Sequence, residues 1–393
     1  MNWLLTVLPV FPLAICVLFY GLYYIMLKLA MARRPIVLGI GSNGALPSVT
    51  IIVPTYNEEV IIEKMLQNTL KLNYPVEKME ILIVDSGSTD QTSGVVRRYL
   101  NDSRVRLITH ESRKGWNLAV DDACRHASGD IIVFAGADVF YDTEAIRWLC
   151  MHFKDPHIGS VTGRQVLFNQ NQTFATRMER DYRRAQEFLT AGESIIDQPF
   201  DIKGEILAVR KGILLAIMNR IGSRGSLDAC VPLETKAQGY RLAYEHHAVY
   251  SEAAPTMNRD RFHMQIRRGK NLTESAMYYT WMMGKRKFGL FGTLILPYHI
   301  AMLTVMPWIF FAGLACLFAG ILFNPSYILL LVIPAVGLLS GRWRTWLCSL
   351  FAGQAALAIA LPLALTHRDF LINRIDSTRI ISIEPEQASV LAQ

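Results

Sequence analysis

Paired cysteines are missing from this sequence. Its six cysteines (Cys16, Cys124, Cys150, Cys230, Cys316 and Cys348) are scattered singly through 393 residues. That spacing argues against a disulfide framework or a zinc site, and fits a reducing compartment for the middle of the chain. Charge is also scarce: 19% of residues are charged and 51% hydrophobic, with a mean hydropathy of +0.24. An ordinary soluble enzyme of this length is less apolar. No zinc-finger spacing, RNA-reading aromatic motif, internal repeat or low-complexity segment is present. The net charge of +7 does not imply nucleic acid, because the basic residues cluster beside apolar runs. Anionic lipid and the positive-inside rule account for them.

The apolar excess lies at the two ends. Residues 4–29 are long enough to cross a bilayer, which takes ~20 apolar residues. Arg33 and Arg34 follow and place the C-terminal end of this run in the cytoplasm. A cleaved signal peptide is the alternative. The run is too long for one, however, and no cationic region precedes it. Residues 292–323, 327–339 and 347–365 give three further apolar stretches behind the basic flank Lys285-Arg286-Lys287. The middle stretch is short. Three crossings would put the C-terminus outside, against the pull of Arg368, Arg374 and Arg379, so one of them is expected to be re-entrant or interfacial.

Between these ends the texture changes. A linker at 39–46 gives way to strand-like runs at 49–53, 79–84, 105–109 and 131–134, separated by helical spacing at 58–72, 91–100 and 118–126. Strands alternating with helices at this pitch predict an α/β fold with a doubly wound, mostly parallel sheet. Residues 176–189 predict a charged, partly exposed helix. Residues 202–209, 241–244 and 248–250 predict further strands, 228–239 a helix closed by Gly239, and 260–279 a basic amphipathic helix suited to a membrane surface.

Five clusters fall at the loop ends of this sheet, where open α/β folds bind ligands. Pro54-Thr55-Tyr56-Asn57-Glu58-Glu59 opens a helix after the first strand. Asp85-Ser86-Gly87-Ser88-Thr89-Asp90 follows the second, with Asp85 able to accept from a nucleobase imide. Lys114, in Arg113-Lys114-Gly115-Trp116-Asn117, offers a point positive charge to a diphosphate. Asp138, in Gly136-Ala137-Asp138, stands where a divalent metal bridging phosphates could use it. Asp228 opens a distant helix. Singly, each has an ordinary explanation as a cap, a turn or a solvated charge. Their joint order along the chain is harder to assign to chance.

That order resembles the membrane-bound family 2 glycosyltransferases, inverting enzymes of the GT-A fold, over roughly residues 49–271. The family's P-x-Y-N-E-E is Pro54 to Glu59, its base-contacting motif Asp85 to Asp90, and its lysine Lys114. Its metal-binding D-x-D falls on Gly136-Ala137-Asp138, and its glycine-and-arginine segment on Gly204, Arg210 and Lys211. Its T-E-D, which supplies the catalytic base, falls on Ser226-Leu227-Asp228. Its Q-x-x-R-W falls on Gln265-Ile266-Arg267-Arg268-Gly269. Three departures stand out: Gly136 replaces the first Asp of D-x-D, Leu227 the Glu of T-E-D, and Gly269 the Trp. The last removes an aromatic platform for a glycan acceptor and favours single transfers over polymerisation.

The resemblance implies these roles: Asp228 as base; Pro54, Thr55, Tyr56, Glu58, Asp85, Lys114, Ala137 and Asp138 around the nucleotide; Gly204, Gln265, Arg267 and Arg268 around diphosphate and acceptor; and Asp138 on Mg2+ or Mn2+. The implied reaction moves one sugar from a nucleotide sugar, UDP by default, to a lipid or lipid-linked acceptor at the cytoplasmic face of a multi-pass membrane protein. The alternatives are a processive polysaccharide synthase, a weakly catalytic sugar-nucleotide-binding subunit, and a transporter with a regulatory domain. The expected organisation is an anchor (1–32), a GT-A domain (47–255), an amphipathic interfacial segment (256–291), a transmembrane region (292–366) and a tail (367–393).

Overall fold

The computed structural model describes residues 9–33, 45–221 and 226–367. Most of the 39–46 linker, and the tail beyond His367, lie outside them. Helix α1 (Phe11–Arg33) leads into strand β1 (Val49–Thr55), helix α2 (Ile62–Leu70), β2 (Met79–Asp85), α3 (Thr92–Arg97), β3 (Val105–Thr109), α4 (Trp116–His126) and β4 (Ile131–Phe134). Every residue of β2 and β4 is buried, as is nearly all of β1. Unbroken apolar runs of this kind belong to strands covered on both faces. Ile51, Val53, Ile81 and Val133 face one core; Ile52, Leu82, Val84 and Phe134 face the other.

The second half adds β5 (Phe140–Tyr141), α5 (Ala145–Met151), β6 (Ile158–Leu167), α6 (Phe174–Ile196), β7 (Leu207–Arg210), α7 (Lys211–Ile221), α8 (Leu227–Ala237) and β8 (Arg241–Glu252). The single eight-stranded sheet runs β3-β2-β1-β4-β7-β6-β8-β5. Strands β3, β2, β1 and β4 are parallel neighbours. Strand β7 is antiparallel to both β4 and β6, and β5 to β8, while β6 and β8 run parallel. The sheet is therefore mixed, with its parallel half carrying the first clusters. Two expected short strands, 241–244 and 248–250, are one continuous β8. The 202–209 strand begins only at Leu207, after a 3-10 turn at Gly204–Ile206.

The C-terminal part comprises α9 (Asn258–Met277), a π-helical turn (Phe291–Ile295), α10 (Leu296–Thr304), α11 (Met306–Phe323), α12 (Leu329–Leu339) and α13 (Gly341–Leu365). The run 292–323 is thus not one helix. Leu296, His299 and Leu303 of α10 are buried against the α/β domain, and α11 follows as a separate helix. Among the described residues, α1, α11 and α13 are the helices long and apolar enough to cross a membrane. Helix α1 is also tied to the α/β domain. The Tyr23 hydroxyl donates to Glu193 Oε1 at 2.8 Å, Leu27 packs on Gly192, and His299 Nε2 lies 2.6 Å from the same Glu193 oxygen.

Candidate active site

The loops after β1 and β2 are knitted together before any ligand arrives. Asn57 N–H donates to Ser88 Oγ (2.9 Å), Thr89 N–H to Asn57 Oδ1 (2.8 Å), and Glu58 N–H to Thr92 Oγ1 (2.8 Å). Thr55 and Asp85 are register partners at the ends of their strands. Asp85 is buried and accepts from Ser88 N–H (3.2 Å) and Oγ (2.5 Å) and from the Ser93 hydroxyl. Here it organises its own loop. Tyr56 stacks under the Arg113 guanidinium at 4.4 Å, and Lys114 N–H donates to Ser86 Oγ at 2.9 Å. The second loop thus fixes the start of the lysine segment.

Beyond them lies a cavity of about 760 Å³. It brings together Lys114, Gly204, Asp228, Gln265, Arg267 and Arg268, residues drawn from four separate stretches of sequence. Asp228 sits in the first turn of α8, where its charge suits the helix dipole. The Ser226 hydroxyl donates to its Oδ1. Gly204 is the only residue that fits beside it: a Cβ there would overlap Asp228 Oδ2 and stand 3.1 Å from its Cβ.

Asp138 is half-buried behind the cavity wall and does not itself line the cavity. Glu205 connects the two. A Cβ on Gly136 would lie 3.0 Å from Asp138 Oδ1 and 3.7 Å from Glu205 Oε2, so both carboxylates flank that glycine. Glu205 lines the cavity. Burial, and then the charges of Glu252, Asp228 and Asp138, push its carboxyl up to about 8. Glu252, also on the cavity, is raised by burial and by Asp138. Among the described residues no three His, Cys, Asp or Glu side chains converge as a ready-made metal cage. The donor set is one of mutually repelling carboxylates beside an open cavity. This fits Mg2+ or Mn2+, which take one or two carboxylates and complete their shell with water and substrate phosphates.

Helix α6 is more deeply involved than its charged sequence indicates. Only Arg184 and Ala185 along it are exposed, and Asp181, Tyr182, Arg183 and Gln186 line the cavity. Glu179 is 1% exposed and accepts from Arg183 (2.9 Å) and Arg268 (2.8 Å), with Arg261 Nε at 3.2 Å. Against the cost of burial, Arg183, Arg268 and Arg261 hold its carboxyl down to about 2. Lys203 donates to Gln186; burial, then the Arg183 charge, lowers its ammonium to about 7. Sequence reasoning missed Glu179, Lys203, Glu205 and Glu252. For α6 a signal existed: Glu179, Arg183, Gln186 and Thr190 recur at helical spacing on one face. For Glu205 none did, since its meaning lies in neighbours remote along the chain.

The wall made by α10 and α13 is mostly apolar, with Met302, Leu303, Leu350 and Leu357 beside His299, Ser349 and Gln354, and Leu189 of α6 adds to its apolar part. Gly269, standing at the family's Trp position, lets α13 press close. A Cβ there would be 3.0 Å from Leu357 Cδ2 and 3.2 Å from Ala360 Cβ, and an indole has no room.

The mixed sheet with its paired loop motifs and carboxylate-lined cavity is consistent with the GT-A fold. Comparison with known proteins agrees. The glycosyl transferase family 2 profile matches residues 50–211. A poly-beta-1,6-N-acetyl-D-glucosamine synthase of Staphylococcus aureus (strain COL) is 25% identical over 201 residues, 51% of this chain and 48% of that protein. The chain therefore spans about half the length of that curated relative. The mannosyltransferase from Pyrobaculum calidifontis, solved with GDP-Man and Mn2+, superposes with a TM-score of 0.74 at 26% identity, over 92% of this chain and 100% of that one. Residues 50–211 thus carry a family 2 glycosyl transferase domain, and around it the chain is similar to family 2 synthases and to a GT-A type mannosyltransferase.

Proposed function

We propose that this glycosyltransferase moves a single sugar from a nucleotide-diphosphate donor to a lipid or lipid-linked acceptor at the cytoplasmic membrane face. The observation that carries this reading is the cavity, polar and acidic where it meets Asp228 and Glu205, apolar where α10 and α13 close it. An amphiphile matches both ends. Asp228 acts as the base that removes the acceptor proton as the hydroxyl attacks the anomeric carbon. Lys114 and Arg268 offset negative charge on the departing diphosphate. Asp138 holds a divalent cation, which when bound supplies Lewis-acid stabilisation of that leaving group. The Arg33-Arg34 and Lys285-Arg286-Lys287 flanks favour a cytoplasmic site.

Single transfer is favoured over polymerisation by the close approach of Leu357 and Ala360 to Gly269, which leaves no room for a stacking side chain at that position. It is also favoured by the near-complete overlap with a mannosyltransferase, whereas the polysaccharide synthase overlaps only in part. UDP remains the default carrier, and the GDP-Man complex of the mannosyltransferase makes GDP the second candidate. The test is to reconstitute the full chain in lipid with UDP- and GDP-sugars and Mn2+ or Mg2+, then weigh the lipid extract by mass spectrometry. One-hexose increments on a lipid are expected. A long polymer would instead establish a processive synthase, and neither transfer nor nucleotide-sugar hydrolysis would leave a binding subunit.

A further inference from the structure

Helix α13 has the length and composition of a membrane span, yet it is held at its start by α6 of the α/β domain and along its length by α9. Near its N-terminus the Thr345 hydroxyl donates to Asp181 Oδ2 (2.8 Å), and Arg344 lies over the Phe174 ring. One turn on, Ser349 Oγ accepts from Arg261 Nη2 (3.0 Å) and donates to the Met178 carbonyl (3.2 Å). Midway, Leu357 and Ala360 press on Gly269. Just past its C-terminus, His367 Nδ1 lies 2.7 Å from Glu274 Oε1.

These contacts follow α9 along its length, from Arg261 through Gly269 to Glu274. From Thr345 to His367 is about 33 Å of helix, more than the ~30 Å hydrocarbon core. If α13 crossed the bilayer, α9 would cross beside it, carrying Arg259 and Asp260 at one end and Lys270 and Glu274 at the other. That is prohibitively costly. Thr345, Ser349, Ala356, Ala360 and Ala364 form one buried stripe of α13; the other side exposes Trp343, Phe351 and Leu365 and buries Gln354 against Tyr20 of α1. A helix held to protein along one side and apolar and exposed along the other leaves that outer side to lipid. Arg342, Trp343, Arg344 and Trp346 supply the head-group and belt residues at its start.

We infer that α13 lies in the plane of the membrane on the catalytic side, with its outer face seated in the lipid head-group boundary. The return crossing after α11 is then made by Pro325–Leu339, a stretch of about 24 Å. It carries no charge, its described side chains are mostly exposed, and local thinning of the bilayer absorbs a few ångströms of mismatch. Lipid is the occupant the surroundings specify, because α13 is continuous with two exposed apolar helices: Phe351 packs on Phe310 and Phe311 of α11, and Gln354 bonds to Tyr20 of α1. Because Trp346, Leu350 and Leu357 also line the cavity, this placement sets the site at the height of one leaflet.

The two topologies differ in where the loop before α13 emerges. Ser103→Cys, on the α/β domain, marks the catalytic side; Ser326→Cys and Ser340→Cys, all three at exposed positions, report the two ends of the return segment. Each full-length variant is placed in sealed vesicles of both orientations and treated with a membrane-impermeant maleimide. Peptide mass spectrometry locates the label, so the native cysteines stay in place. Labelling of Ser340→Cys from the same side as Ser103→Cys, and of Ser326→Cys from the other, is expected. Thr366→Cys, exposed just past α13, is expected to label from the Ser103→Cys side as well. Its labelling from the Ser326→Cys side would make α13 a third C-terminal crossing and overturn the inference. Labelling of Ser340→Cys and Ser326→Cys from one side, opposite Ser103→Cys, would make α13 a span and overturn the inference. Labelling of Ser103→Cys, Ser326→Cys and Ser340→Cys from one side would overturn the return crossing. Nucleotide-sugar turnover does not enter the readout, so failure here is separable from failure of the catalytic reading.

Discussion

Gly204 and Asp228, 24 positions apart, are fitted so closely that a single methyl group on the glycine would overlap the aspartate's Oδ2. The backbone of one segment is therefore the seat of the other's carboxylate. Gly204→Ala is expected to displace Asp228 and lower kcat by ~10²-fold, the scale of a misplacement of about 1 Å. A thermal melt close to wild type would accompany the loss, and unchanged kcat would separate the two residues.

Asp228→Asn keeps the shape of the side chain and removes its basicity. Transfer is expected to fall ~10²–10⁴-fold, the range typical of a lost general base. Nucleotide affinity, measured by calorimetry, should hold. Wild-type turnover in this variant would remove Asp228 from the chemistry.

Glu205 gives the site a pH signature. Burial and the charges of Glu252, Asp228 and Asp138 raise its carboxyl from an ordinary 4.5 to about 8. Between those values the folded protein holds a proton that the unfolded chain has released, so stability falls as pH rises through the window. Thermal melts should therefore decline from pH 5 to pH 8, and Glu205→Gln should flatten that decline. Mn2+ should raise the melting temperature more at pH 8 than at pH 6, since a cation relieves the same repulsion. An equal slope in wild type and variant would contradict this account.

Glu179 is the anionic hub for Arg183, Arg261 and Arg268. Glu179→Ala strands these cations, of which Arg261 is 1% exposed. A loss of about 3–5 kcal/mol is expected, as for other broken buried ion pairs. Denaturant titration in detergent would measure it, and a change under 1 kcal/mol would argue that water rescues the cluster.

The parallel half of the sheet was legible because β1, β2 and β4 are buried on both faces and so read as continuous apolar runs. Strand β8 was split in two on paper because Glu245, His246 and His247 interrupt its apolar pattern. Their reasons are tertiary: Glu245 Oε2 lies 2.7 Å from His152 Nε2. Hydropathy likewise merged α10 with α11, since it cannot distinguish a helix buried in protein from one bathed in lipid. The loop motifs and Asp228 could be matched position by position. The acidic neighbours could not, because Glu205 and Glu252 acquire their character only when β7 and β8 bring them beside Asp138 and Asp228.

The bond from Tyr23 to Glu193 has a practical corollary. Glu193 is 1% exposed and is contacted by Tyr23 from α1, His299 from α10 and the Phe200 N–H. Excising the N-terminal helix to obtain a soluble catalytic fragment would strip that carboxylate of one donor and unroof Gly192, where Leu27 now packs. A helix long and apolar enough to cross a membrane is thus also a structural rib of the α/β domain, and the shortest fragment expected to hold its shape starts before Tyr20 rather than at the first strand.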